Sequence, residues 1–201
     1  MIYILIPSTK ERRDRLAKCI EAIKQDQKYP TAIVTYENED GCTDVGWVKA
    51  LHKLLDGIKD DQLVFVLGDD ALVSPGCIQR LYEGYTALPQ DEEWLLQPYE
   101  QFHKGELATF PFCKAGLLKK YVHRGYKHLY SDTELTLIMK AKNRYGIVKE
   151  AKVDHQHFLN DARLLDDTYR ATQKFHDEDA KLFHERAKHQ FYFYDNPPSI
   201  N

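Results

Sequence analysis

The stretch LVFVLGDDALVSPG, residues 63–76, decides the fold because five apolar residues are followed, after one glycine, by two aspartates. A continuous apolar run of this length is typical of a strand that is buried on both faces of a parallel sheet. Ser74 and Pro75 are favourable N-cap and N1 residues, so they predict that a helix begins there. Strand, acidic turn and helix together predict one unit of an α/β protein.

The same alternation extends toward the N-terminus. Residues 2–6 (IYILI) and 32–36 (AIVTY) predict two more strands, and apolar positions at helical spacing predict a helix after each of them. Ser8 with Glu11 is interpreted as a capping box at the first helix start. Parallel strands that alternate with helices imply right-handed crossovers and a doubly wound, mostly parallel sheet.

The second half of the chain predicts a less regular continuation of this sheet. Strands are predicted at 94–99, 107–112 and 146–153, and helices are predicted at 115–122 and 131–142. The charged residues 161–190 carry apolar positions that predict helices lying on the domain. We therefore expect an α/β domain over residues 1–160, with a C-terminal helical extension, 161–201, packed on it.

Composition and charge exclude several classes of protein. The 201 residues are 43% hydrophobic and 29% charged, which is typical of a folded globular protein and not of a disordered chain. A formal net charge of −3 argues against a generally basic nucleic-acid-binding surface. No apolar run approaches the roughly 20 residues of a membrane-spanning helix. The four cysteines form no CxxC pair, so we expect reduced thiols and a cytoplasmic location.

Polar groups follow the first three predicted strands, at residues 7–9, 37–40 and 68–70. In an open α/β sheet, ligands bind beyond the carboxyl ends of the strands. Adjacent carboxylates such as Asp69 and Asp70 are costly after a buried strand unless a cation or hydrogen bonds compensate them. Mg²⁺ and Mn²⁺ prefer such oxygen ligands. The alternative is that the two aspartates only cap the loop before the next helix.

Two further groups of residues favour chemistry. Asp132 lies in the first turn of a helix that Ser131 and Glu134 are interpreted to cap, so it serves as a general base or only as a helix-stabilising acid. The helix N-terminus is expected to keep such a carboxylate ionised and weakly basic. His155 and His157, two apart on a strand, point the same way and are either metal ligands or surface histidines. No four-ligand zinc spacing is present.

Taken together, residues 2–160 resemble the GT-A-fold nucleotide-sugar glycosyltransferases of family 2, of the small bacterial and bacteriophage type. IPSTKER (6–12) resembles the first-strand loop of that family, and VFVLGDDALVSPG (64–76) resembles its acidic DXD-like motif. SDTEL (131–135) is similar to the motif that supplies the general base. VDHQHF (153–158) is similar to the strand end whose histidine completes the metal site.

The resemblance implies an inverting transfer of a sugar from a nucleotide-sugar, UDP-sugar in the first place, to an acceptor hydroxyl with Mn²⁺ or Mg²⁺ as cofactor. It implies that Asp70 binds the metal, with His155 as the next ligand and His157 as the second choice. Asp132 takes the position of the general base. The residues that it places at the donor are Pro7, Ser8, Thr9, Glu37, Lys49 and Asp69.

Two positions depart from the family pattern, and several alternatives stay open. Gly68 stands where the first carboxylate of the acidic triplet is expected, and His52 stands where the second helix usually carries an asparagine. Lys49 is the residue expected to compensate at the diphosphate. Gly68 favours a non-catalytic nucleotide- or glycan-binding protein or a degenerate transferase. A sugar-phosphate nucleotidyltransferase would carry a glycine-rich loop after the first strand, and a metal-dependent phosphatase or nuclease would share the acid and histidine set.

The acceptor is the partner that the sequence describes least. A glycan, a protein or a modified base in phage DNA are all acceptors of the right chemistry. Residues 114–127 interleave basic and aromatic side chains. Three interpretations are open for this segment: it lines an acceptor cleft, it contacts a polyanion, or it is a solvated helix face.

Overall fold

A computed structural model describes residues 1–25, 28–38 and 46–191 of the chain. The strands are β1 (Ile2–Thr9), β2 (Thr31–Asn38), β3 (Leu63–Val66), β4 (Ala71–Val73), β5 (Leu95–Glu100), β6 (Phe112–Lys114) and β7 (Tyr145–His155). The helices are α1 (Arg13–Gln25), α2 (Gly46–Leu55), α3 (Cys77–Thr86), α4 (Ala115–Tyr121), α5 (Ser131–Ala141), α6 (Asp167–Thr172) and α7 (His176–Lys188). Short 3₁₀ turns precede α1, α6 and α7.

In the described residues the strands form one seven-stranded sheet in the order β2-β1-β3-β6-β5-β7-β4. Strands β1, β2, β3, β5 and β7 run in one direction, and β4 and β6 run against them. The predicted fold class, a mostly parallel α/β sheet flanked by helices, is therefore confirmed. The carboxyl ends of five strands consequently meet at one edge, where ligands bind in open α/β sheets.

Two apolar layers cover the two faces of this sheet. Leu5 and Val64 face the layer formed by α2, α4 and α5. Ile4, Ile6 and Phe65 face the opposite layer, formed by α1 and α3. This division follows from the period of a strand, in which successive side chains point to opposite faces. None of the helices in the described residues is long and apolar enough to cross a membrane.

The helix starts differ from the capping boxes that the sequence predicts. Ser8 lies inside β1, and its hydroxyl donates to Asp69 at 2.8 Å instead of capping a helix. Tyr130, at φ 64°, is the N-cap of α5, and Glu134 is buried against Arg186. Both predicted caps are wrong because a distant partner binds the side chain that a local motif would use.

The acidic turn also joins different elements from those that the sequence predicts. Residues 71–73 continue as β4, antiparallel to β7, so the turn connects two strands. Helix α3 begins at Cys77 after Gly76, which adopts φ 79°, rather than at a serine–proline cap. The register pairs Ala71 with His155, which brings the end of β7 beside the two aspartates.

Buried polar contacts tie the C-terminal helices to the rest of the chain. Asp179 of α7 is fully buried and accepts hydrogen bonds from three successive backbone amides at 127–129, with distances of 2.8, 2.8 and 2.7 Å. Arg186 of the same helix binds Glu134 of α5. These contacts fix the loop that leads into α5. Residues 192–201 of the predicted C-terminal extension lie outside the described residues.

Candidate active site at the carboxyl edge of the sheet

A pocket of about 430 Å³ opens where β1, β3 and β7 end. Because β1 and β3 are neighbouring parallel strands, the residues that follow them arrive at the same edge. The side chain of His155 joins them through the pairing of β7 with β4. Eight of the ten predicted site residues line this pocket, namely Pro7, Ser8, Thr9, Asp69, Asp70, Asp132, His155 and His157.

Asp69 is held by neighbours from the first strand and the turn after it. Its carboxylate accepts hydrogen bonds from the Ser8 hydroxyl at 2.8 Å and from Nη1 of Arg12 at 3.1 Å. Burial raises the pKa of Asp69 to about 6, against the opposing charge of Arg12. Part of the cost of burying two adjacent carboxylates is therefore offset by an arginine of the same chain.

The two oxygens of Asp70 have different surroundings. Oδ2 accepts a hydrogen bond of 2.5 Å from the Tyr169 hydroxyl and lies 3.9 Å from Nη1 of Arg12. Oδ1 lies 3.7 Å from Nε2 of His155. Burial opposes ionisation of Asp70, but the contacts with His155 and Tyr169 and the charge of Arg12 outweigh it, so its pKa lies below the ordinary value. Asp70 is thus a buried carboxylate that stays charged.

Gly68 is required by the position of the Asp70 carboxylate. A Cβ at residue 68 would collide with Oδ1 of Asp70. The glycine at this position therefore has a geometric cause, since a Cβ there would displace the side chain of Asp70, two residues later.

The residues at this edge fit a divalent cation. The separation of 3.7 Å between Oδ1 of Asp70 and Nε2 of His155 is too long for a hydrogen bond, and both atoms are ligands that Mn²⁺ accepts. Nδ1 of His155 is buried without a hydrogen-bond partner in the described residues, with Oε2 of the buried Glu100 4.0 Å away. Within residues 1–25, 28–38 and 46–191, no group of three or more acid, histidine or cysteine side chains surrounds one position. A cation would therefore take its other ligands from substrate phosphate and water, as Mg²⁺ commonly does.

His157 packs beside the pair formed by Asp70 and His155, against the His155 ring. Its Nδ1 accepts a hydrogen bond from the Leu159 amide at 3.3 Å, and its ring packs between His155 and Tyr169, with centroid distances of 5.0 and 4.7 Å. Burial lowers the pKa of His157 to about 4, so the ring is neutral at pH 7. His155 lies 3.7 Å from Asp70 and is the imidazole that faces its carboxylate.

Asp132 faces the pocket from the first turn of α5. Its Oδ1 accepts a hydrogen bond from the Thr133 amide at 2.7 Å. Desolvation raises the pKa of Asp132 above its ordinary value and outweighs that hydrogen bond. Burial therefore acts against the stabilisation that the helix N-terminus is expected to give this carboxylate.

Glu37 and Lys49 are the two predicted site residues that the structure does not bring to the pocket. Glu37, at the end of β2, binds Arg13 at 2.9 Å. Lys49 is exposed on α2, and the residues of this helix that line the pocket are Gly46, Trp47 and Ala50. The acidic residues 39 and 40 lie outside the described residues.

His52 and the basic segment 114–127, both singled out in the sequence, form hydrogen bonds or ion pairs within the chain. His52 is buried, and its Nε2 makes a 2.9 Å hydrogen bond with the carbonyl of Val122. In the basic segment 114–127, Lys119 binds Asp60 at 2.8 Å. Further cations of this segment contact the carboxylates Glu93 and Asp56. These pairings favour a solvated helix face over a polyanion-binding surface.

Three residues of the site are missing from the sequence-based set. Arg12, Asp166 and Tyr169 form a connected group at the acidic turn, and their contacts join positions 57 to 154 residues apart. Tyr169 is visible in the sequence only as one apolar position in a charged segment. A local pattern contains no signal for such pairings.

Comparison with known proteins gives a likeness in structure alone. No protein-family model and no curated protein matches the chain by sequence. A crystal structure of S. aureus TarS is similar with a TM-score of 0.55 and 10% identity, over 78% of this chain and 36% of that chain. A crystal structure of S. aureus TarS 1–349 is similar with a TM-score of 0.55 and 13% identity, over 100% of this chain and 76% of that one. At these identities the comparison shows a shared fold alone, the Rossmann-like α/β fold that this chain has in common with TarS.

Proposed function

We propose that this protein is a metal-dependent inverting glycosyltransferase that moves a sugar from a nucleotide-sugar, UDP-sugar being the first candidate, to an acceptor hydroxyl. The observation that carries the proposal is the meeting of Asp70, His155 and Asp132 around one pocket. The pocket lies at the strand ends of a chain with a glycosyltransferase fold. Fold alone does not imply function, so the argument depends on these side chains.

The donor half of the pocket is the acidic turn and the end of β1. Ser8 and Thr9 are buried beside Asp69, where they would contact the nucleoside. Asp70 and His155 would hold Mn²⁺ or Mg²⁺. When bound, such an ion offsets the charge that builds on a diphosphate leaving group.

The acceptor half of the pocket is the start of α5. Asp132 would accept the proton of the acceptor hydroxyl. At the same time the oxygen of that hydroxyl would form a bond to the anomeric carbon, and the bond from this carbon to the diphosphate would break. Attack from the face opposite the leaving group inverts the configuration. The raised pKa of Asp132 makes its carboxylate a stronger base than that of an ordinary aspartate. The carboxylate is ionised, and able to accept a proton, at pH values above this pKa. Acceptors of suitable chemistry remain a glycan, a protein or a modified DNA base.

A non-catalytic nucleotide-binding protein is the second candidate function. It is favoured by the absence, in the described part of the chain, of a third clustered acid or histidine at the Asp70–His155 pair. Turnover of a donor separates the two candidates, since a binding protein releases no nucleoside diphosphate. For either function we infer a reducing compartment such as the cytoplasm, because Cys19, Cys77 and Cys113 are buried free thiols.

Calorimetric titration with UDP tests the proposal. With Mn²⁺ present, the wild-type protein is expected to bind UDP, and omission of the metal or the change Asp70→Ala should weaken binding by about 10-fold or more. Asp14→Ala is the control, since Asp14 is an exposed aspartate on α1. If neither UDP nor any other nucleoside diphosphate binds to the wild type, the proposal is wrong.

Gly68→Ala is expected to weaken Mn²⁺-dependent UDP binding by about 10-fold or more, because the added Cβ collides with Oδ1 of Asp70. Gly57→Ala is the matched control, since a Cβ at that exposed position meets no atom within 4 Å. The same titration measures both variants. Equal UDP affinity in Gly68→Ala and Gly57→Ala would show that the position of this oxygen does not matter for binding.

A further inference from the structure

Tyr169 reaches the acidic turn from the C-terminal part of the chain. It lies in α6, is 6% exposed, and its hydroxyl donates to Oδ2 of Asp70 at 2.5 Å across 99 residues of sequence. A buried tyrosine hydroxyl aimed at a buried carboxylate is a specific contact, since both groups lose water on folding. The contact occupies one oxygen of Asp70 and leaves the other facing His155.

A network of charged groups holds the Tyr169 ring in place. The guanidinium of Arg12 lies 4.0 Å from the ring centroid. The same guanidinium donates to both oxygens of Asp166, through Nε at 3.0 Å and Nη2 at 2.9 Å, and to Asp69 at 3.1 Å. Asp166 in turn accepts a hydrogen bond from the Tyr169 amide at 3.0 Å as the N-cap of α6. His157 packs against the ring at 4.7 Å.

The network restricts the rotation of the Asp70 carboxylate. A terminal carboxylate torsion is broad and soft, so a free side chain would present either oxygen to the pocket. With Oδ2 bound to Tyr169, only Oδ1 remains beside Nε2 of His155. Hydrogen bonds of this kind orient metal-binding carboxylates, and their loss commonly costs about 10- to 100-fold in metal affinity.

We propose that Tyr169 is a positioning residue that holds Oδ2 of Asp70 and thereby presents Oδ1, next to His155, to a divalent cation. Asp166 acts on the same carboxylate through Tyr169, and Arg12 acts both through the Tyr169 ring and directly, at 3.9 Å from Oδ2. The proposal rests on the proposed function, in which Asp70 is a metal ligand. It makes α6 a part of the donor site instead of an appended helix.

Calorimetric titration with MnCl₂ alone, followed by UDP, tests the proposal. Tyr169→Phe is expected to weaken Mn²⁺ binding by about 10- to 100-fold. Its melting temperature in metal-free buffer should fall by about 3–12 °C, the effect of one lost hydrogen bond to a charged group in a chain of this size. Tyr121→Phe is the matched control, because Tyr121 also donates its hydroxyl to a carboxylate, that of Glu93 at 2.7 Å, away from the pocket. This control should keep the wild-type Mn²⁺ affinity.

The outcomes separate this proposal from the proposed function. If Asp70→Ala loses Mn²⁺ binding while Tyr169→Phe keeps it, the positioning role is wrong and the metal site stands. If the wild type binds no Mn²⁺ with or without UDP, both are wrong. Asp166→Asn is a second variant that loosens the ring without altering it, and it should weaken Mn²⁺ binding in the same direction. Should Tyr169→Phe fail to fold, wild-type Mn²⁺ affinity in Asp166→Asn overturns the proposal.

Discussion

Asp132→Asn is expected to lower the turnover number for sugar transfer by about 10²- to 10⁴-fold, the usual contribution of a positioned general base. UDP binding should stay at the wild-type level, because Asp132 belongs to the acceptor half of the pocket, at the start of α5, and the Asp69–Asp70 turn belongs to the donor half. Asparagine retains an oxygen for the Thr133 amide that Asp132 now binds, so the helix start should be preserved. The measurement is the rate of transfer to acceptor at saturating donor, together with calorimetric UDP affinity.

The control for this change is Glu178→Gln, which removes an exposed carboxylate from the first turn of α7. Activity of the wild type should also fall as the pH is lowered through the pKa of Asp132, since only the ionised form accepts a proton. Because desolvation raises that pKa, the loss should begin at a higher pH than for an aspartate of ordinary pKa, 3.8. Transfer by Asp132→Asn at the wild-type rate would remove Asp132 from the reaction.

Arg186→Met is expected to lower the free energy of unfolding by about 3–5 kcal/mol, the cost of leaving one partner of a buried ion pair uncompensated. Nε and Nη2 of Arg186 donate to the two oxygens of Glu134 at 2.8 and 2.7 Å. The carboxylate of Glu134 also accepts a hydrogen bond of 2.6 Å from Tyr126 and is fully buried, so water does not replace the lost arginine. Urea unfolding followed by circular dichroism measures the change.

Lys188→Met on the same helix is the control for Arg186→Met. Lys188 pairs with Glu185 at 2.8 Å, but both side chains are more than half exposed. Exposed pairs contribute about 1 kcal/mol or less, so this variant should unfold near the wild-type urea concentration. If the two variants lose the same stability, the pair between α5 and α7 is not the anchor of the C-terminal helices.

The first half of the fold is predictable because its signals are local. The apolar runs at 2–6, 32–36 and 63–67 are the cores of β1, β2 and β3, and the intervening periodicity is that of α1 and α2. Each of these elements has one regular spacing of apolar residues along its length, and such a spacing is visible in a single sequence. Strand β4 is three residues long, and in sequence it is hidden between the acidic turn and the start of α3.

The position of the candidate site was predictable, and its detailed structure was not. Asp70 and His155 can be proposed as neighbours because Asp70 follows the apolar strand β3 and His155 ends β7, at the edge where strand ends meet. Their contact itself depends on β4, the short strand after Asp70 that pairs with β7. The contacts of Arg12 and Tyr169 with the acidic turn depend on how α6 packs, which no local pattern describes. Gly68 illustrates the same limit, since its meaning depends on the orientation of a carboxylate two residues away.

The most direct test of the account is the release of nucleoside diphosphate from a panel of nucleotide-sugars, measured with Mn²⁺ for the wild type and for Asp70→Asn. The account predicts that the wild type releases the diphosphate from at least one donor, with UDP-sugars first. It predicts that Asp70→Asn releases at least about 10-fold less, because Oδ1 of this residue is the proposed cation ligand. Absence of release from every donor, or undiminished release by Asp70→Asn, would contradict the account.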